Sequence, residues 1–170
     1  FRYRAIEYFA DPANEKKHTG RGNRGVDDVA KQLATIMQIL LVKRLESSFS
    51  AFYQSLPNLR QYTRNMIDMW ESGNIFICPQ INVNAELDRK AKELKRGRPV
   101  SYKECLEDIR TKITKLNEDG RNDNERNMEY ATSDMKPEYI DLLRSDYELI
   151  SDLCDRWAKN TEDPKLDVFK

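Results

Sequence analysis

A single histidine, His18, and three cysteines, Cys78, Cys105 and Cys154, are all that this 170-residue chain offers a soft metal ion. Tetrahedral zinc sites draw on close Cys or Cys/His pairs, and no two of these cysteines are near in sequence, so a zinc site is excluded. An odd count at wide spacing also speaks against a disulfide framework and places the chain in a reducing, cytoplasmic setting. Long hydrophobic runs are missing too: nothing reads as a bilayer span or a signal peptide, and no membrane partner is expected. Nor is there a surplus of one charge, because 29 Lys/Arg stand against 29 Asp/Glu. No global field therefore draws the chain to nucleic acid. Glycine and proline are scarce, at six each, which leaves long stretches free to be helical.

What is present is helical periodicity. From Val26 to Leu56 the chain has no internal Gly or Pro, and Val29, Leu33, Ile36, Met37, Leu40, Leu41, Leu45, Phe49, Phe52 and Leu56 recur at helical spacing. The pattern predicts one long central helix with a broad apolar face, started by Gly25, Asp27 and Asp28 and kinked or followed by a second helix at Pro57. Leu59, Tyr62, Met66 and Met69 extend it to Gly73. Ile75–Ile77 reads as a short strand. Residues 79–135 are a charged, partly mobile insertion. Ser101 with Glu104 forms a capping box for a helix whose stripe is Tyr102, Cys105, Leu106, Ile109, Ile113 and Leu116. Residues 117–135 read as a mobile loop. Past Pro137, the residues Ile140, Leu143, Tyr147, Ile150, Cys154 and Trp157 form a packing seam, with the central helix as its expected neighbour. The fold expected is all-α: a helical bundle built on a long central helix packed against a C-terminal helix.

Local charge gives one candidate surface. Residues 1–25 carry six Lys/Arg against three Asp/Glu, and residues 136–170 carry six against nine. The stretch 13–25 is basic and glycine-rich, and it reads as a mobile loop in which Lys16, Lys17, Arg21 and Arg24 are candidate phosphate contacts. A second candidate lies inside the central helix, where Lys43, Arg44, Glu46, Ser47 and Ser48 surround Leu45. An ordinary amphipathic helix has no need of two cations, a carboxylate and two hydroxyls at its middle. They are read either as phosphate contacts or as polar contacts that orient the helix against a partner surface. A serine nucleophile at Ser47 or Ser48 would lack a base, because His18 lies in the loop, and no catalytic constellation emerges.

The run Leu40-Leu41-Val42-Lys43-Arg44-Leu45-Glu46-Ser47-Ser48, with Ala51-Phe52 after it, resembles the LLxKRLESSxxAF signature of a bacterial family of superfamily 2 helicases of the Swi/Snf type. The tail is similar as well. Asp141-Leu142-Leu143, Asp146, Trp157 and Asp163-Pro164-Lys165-Leu166 resemble the run that leads those proteins into their second RecA-like lobe, and the opening RYRAIEYF has the same look. The resemblance implies that the chain is the helical segment between the two ATPase lobes of a larger DNA helicase or translocase, with ends at Phe1 and Lys170 that are cuts. Residues 1–25 would then be the N-terminal segment and basic loop, 26–72 the long helix or kinked pair, 136–160 the C-terminal helix and 161–170 the lead into the second lobe. The segment would couple lobe motion and touch the DNA backbone or the lobes. ATP and Mg would be bound outside this chain, which has no GxxxxGK[ST] loop, DExx box or arginine-finger motif and so no cofactor of its own. Two other readings stay open: a non-enzymatic helical interaction module using the seam at Ile140–Trp157, and a direct nucleic-acid binder using Lys16–Arg24. The isolated chain is expected to be monomeric.

Overall fold

A computed structural model describes residues 2–18, 26–94, 100–122 and 125–160. Among them are six α-helices and one two-stranded sheet: α1 (Pro12–Lys17), α2 (Val26–Ser47), α3 (Phe49–Glu71), β1 (Asn74–Ile77), α4 (Val83–Leu94), α5 (Tyr102–Glu118), β2 (Met128–Ala131) and α6 (Glu138–Ala158), with 3-10 turns at Arg2–Tyr8 and Thr132–Asp134. The protein is thus mostly α, as expected. The chain divides into two compact units, one made of Phe1–Tyr8, Thr19–Ile67 and Pro137–Lys170, the other of Phe9–His18 and Asp68–Lys136.

In the first unit the long helix is two helices, and the break falls at Ser48 rather than Pro57. The Ser48 hydroxyl accepts from the Ala51 amide at 3.3 Å, as an N-cap side chain does at the start of a new helix. The backbone ladder nonetheless runs through: Ser48 N donates to Arg44 O at 2.9 Å and Phe52 N to Ser48 O at 3.1 Å. Pro57 lies inside α3. There it removes the amide that would bond the Tyr53 carbonyl, one turn beyond the point where Ser55 Oγ donates to Ala51 O at 2.8 Å.

The core of this unit is the seam of α6 against α3. Leu56, Ile150 and Cys154 form a buried cluster, with Phe52, Leu59, Leu153 and Trp157 packed on it. Trp157 receives Phe49 and Phe52 edge-on, with centroids 5.1 and 5.0 Å away. Ile140 and Leu143 are also buried, and Tyr8 packs its ring on Tyr139 at 5.2 Å. Among the described side chains, those of the expected long helix that meet the C-terminal helix in this cluster come from its second half, Phe49 onward, and none comes from KRLESS.

In the second unit, β1 and β2 pair antiparallel, Ile75 opposite Tyr130 and Phe76 opposite Glu129. The loop expected over 117–135 thus contains a strand. Two devices hold it. Arg110 of α5 donates to both Glu129 oxygens, Nε at 2.8 Å and Nη2 at 2.6 Å, and its guanidinium lies 5.9 Å from the Phe76 ring centre. Asn127, buried before β2, accepts from Gln80 N at 3.1 Å and donates to Gln80 Oε1, while Asn122 Nδ2 donates to its carbonyl at 3.1 Å. The Ser101–Glu104 capping box forms as expected, with Ser101 N donating to Glu104 Oε2 at 2.7 Å. Of the α5 stripe, Cys105, Leu106 and Ile109 are buried. Lys112 pairs with Glu86 of α4.

Candidate functional site

Of the hexamer Lys43–Ser48, the first five residues lie on the last turns of α2 and Ser48 at the break beyond it, and helical spacing divides them. Residues three, four and seven apart share a face, so Lys43 and Ser47 continue the stripe of Ile36 and Leu40, and Glu46 follows from Ile39 and Lys43. On that face everything described is exposed: Ile36 at 50 %, Ile39 at 48 % and Leu40 at 49 %, together with Lys43, Glu46 and Ser47. Leu41, Leu45 and Ser48, on the opposite side, are half-buried. The expectation that Ile36 and Leu40 belong to a buried face is thus corrected. The cause is in the sequence: Ile39-Leu40-Leu41-Val42 is a contiguous apolar run, and at 100° per residue such a run surrounds the helix rather than lining one side.

Arg44 departs from its neighbours. Its Nη1 donates to Ser55 Oγ at 2.5 Å, across the Ser48 break. Since Ser55 in turn donates to Ala51 O, the guanidinium sits at the head of a short chain of hydrogen bonds tying α2 to α3. Ser48 caps α3. So two of the five polar residues of the hexamer, Arg44 and Ser48, act on the break within the chain, and Lys43, Glu46 and Ser47 form the outward polar end of the apolar stripe.

The basic candidates separate as well. Lys16 and Lys17 are exposed in the last turn of α1, a helix where a loop was expected, because Asp11 caps it by accepting from Ala13 N at 2.8 Å and Pro12 fits its first turn. Arg21 and Arg24 lie outside the described residues. His18 is not a loop residue either. It caps the C-terminus of α1, stacks on Phe9 with ring centres 5.9 Å apart, and its Nε2 lies 2.7 Å from the Tyr130 hydroxyl. Burial, followed by the nearby charges of Arg126 and Lys17, pushes the imidazole down to about 4, so it is neutral across the physiological range. Nothing local in the sequence announces this cluster, since Tyr130 is 112 positions away.

Other reactive groups are quiet. The Cys78 thiol faces the Met128 carbonyl, and burial pushes it up to about 12, far from a nucleophilic thiolate. Among the described residues no three His, Cys, Asp or Glu side chains gather as a metal site. No described helix is long and apolar enough to cross a membrane. Comparison with protein families, curated proteins and solved structures finds no match for this chain.

Proposed function

We propose that the chain is the helical segment between the two ATPase lobes of a bacterial, cytoplasmic, ATP-dependent DNA helicase or translocase. It would be an accessory element that couples lobe motion, with ATP and Mg bound by the lobes. The observation that supports this reading is the exposed face of α2. The residues that resemble the helicase signature, Leu40, Lys43, Glu46 and Ser47, lie on the side of the helix that this chain leaves uncovered. An apolar run that encircles a helix, as Ile39–Val42 does, has more apolar surface than one neighbouring helix can cover. The lobes of the same polypeptide are the occupants the resemblance names, and the mixed composition suits an interface with an apolar centre and a polar rim. The interaction-module reading has less to stand on, because the Ile150–Trp157 part of the seam is packed against Phe52, Leu56 and Leu59 of the chain itself, and Ile140 and Leu143 are buried.

The test has two stages. The gene must continue on both sides, with a Walker A loop encoded before Phe1 and a second RecA-like lobe after Lys170; stop codons in either place end the reading. In the longer protein, Leu40→Glu should lower DNA-stimulated ATP turnover by about tenfold, the cost of one charged side chain placed in a docked apolar face. The same substitution should leave the unfolding midpoint of the 170-residue chain in place. Wild-type turnover in that variant would remove α2 from the mechanism.

A further inference from the structure

Among its described residues the second unit has two buried nitrogen atoms with no hydrogen-bond partner on neighbouring side chains, His18 Nδ1 and Arg126 Nε. Such atoms are rare in folded proteins, since a stranded donor gives up its bond to water and gains none in return. The proton on His18 can be placed. The Tyr130 hydroxyl is 2.7 Å from His18 Nε2 and 3.4 Å from Met128 Sδ, and an imidazole nitrogen is a much better acceptor than a thioether. The hydroxyl therefore donates to Nε2, which leaves Nδ1 carrying the hydrogen. The ring is held in that pose by Phe9 stacked on one face and Tyr130 at its edge, 5.6 Å away. Arg126 and Lys17 both bear electrostatically on the same imidazole.

The nearby carboxylates do not neutralise this group. Asp134, which acts on Tyr130, has its Oδ2 engaged by the Ala131 amide at 3.1 Å. Glu125 is also close to Tyr130 and is exposed, and it makes no ion pair with Arg126. Three donors, from α1, its C-cap and the approach to β2, thus lie together with no acceptor among the described residues.

We propose that His18 Nδ1, the Arg126 guanidinium and Lys17 form a binding site for a phosphate-type oxyanion. A tetrahedral oxyanion presents several acceptor oxygens and would satisfy both stranded nitrogens at once, with Arg126 supplying a charge-assisted bond and Lys17 a mobile second charge at the rim. Of the residues the basic sequence suggests, this retains Lys17 and adds Arg126 from more than a hundred positions away. The site does not depend on the helicase reading, because it is built wholly within the second unit.

His18 is the chain's only histidine, so its ring resonances can be followed by NMR without assignment. Inorganic phosphate titrated into the 170-residue protein at constant ionic strength should shift those resonances saturably. Arg126→Gln should weaken binding by about tenfold or more and Lys17→Gln by less, with Arg126→Lys keeping part of the affinity. A short single-stranded oligonucleotide then separates the two sources of the group. If it displaces phosphate the site reads nucleic-acid backbone, and if it does not the ligand is a free or terminal phosphate; either outcome supports the site. Shifts that rise linearly without saturation, or equal affinity in wild type and in folded Arg126→Gln and Arg126→Lys, overturn it.

Discussion

The helices α2 and α6 are of nearly equal length, 22 and 21 residues, belong to the same unit and are both rich in Leu and Ile, yet they are used in opposite ways. In α6 the apolar residues that fall three and four apart, Ile140, Leu143, Ile150 and Cys154, are buried, whereas Leu142 and Leu149, which lie off that stripe, stay about half exposed. In α2 the apolar residues run together, and Ile36, Ile39, Leu40 and Val42 are all about half exposed. Apolar content alone does not decide burial. What decides it is whether the residues share one direction, because a single neighbouring helix can cover only one side of a cylinder.

The comparison is broken most severely at the seam. Ile150→Ala or Leu56→Ala should cost about 3 kcal/mol in urea unfolding, each deleting a buried side chain from a packed cluster; a loss below about 1 kcal/mol would mean that α6 does not rest on α3. The next effect is a gain. Pro57→Ala restores an amide in the interior of α3 and should raise stability by about 1–2 kcal/mol in the same unfolding measurement; no gain would mean that α3 holds the ring without loss. Arg44→Ala removes the exposed bond to Ser55 and should cost about 0.5 kcal/mol. Ile36→Ala, on the uncovered face, should stay within about 0.5 kcal/mol, and a larger loss would mean that α2 is buried after all.

A pH series extends the comparison to the second unit. His18 is held near 4 when folded and returns to about 6.5 when unfolded, so the unfolded chain binds the extra proton first. Stability should be full above pH 6.5, fall as pH drops from there, and level off near pH 4. His18→Phe, which keeps the stacking on Phe9, should flatten that segment of the curve.

The parts of this fold that were legible in the sequence are those whose cause is local. The Ser101–Glu104 box, the stop at Gly73, whose φ of +85° suits glycine, and the seam of α6 each follow from residues within a few positions of one another. The break at Ser48 was not legible, because a serine that caps a new helix and one that rides along an old helix are the same letter, whereas a proline advertises itself. The strand β2 was hidden for a different reason. Asn122, Asn127 and Glu129 look like loop residues until Gln80 and Arg110, far along the chain, supply their partners. The candidate surfaces divide in the same way. The hexamer was found through its odd local composition, while the joint role of His18 and Arg126 depends on a juxtaposition that only folding creates.

The interruption at Ser48 also sets a length. An unbroken rod from Val26 to Glu71 would reach about 70 Å, but two shorter arms of about 33 and 35 Å meet at that serine. One hydroxyl and one guanidinium join them there, so a change at either position acts on the connection between two long helices before it touches any surface chemistry.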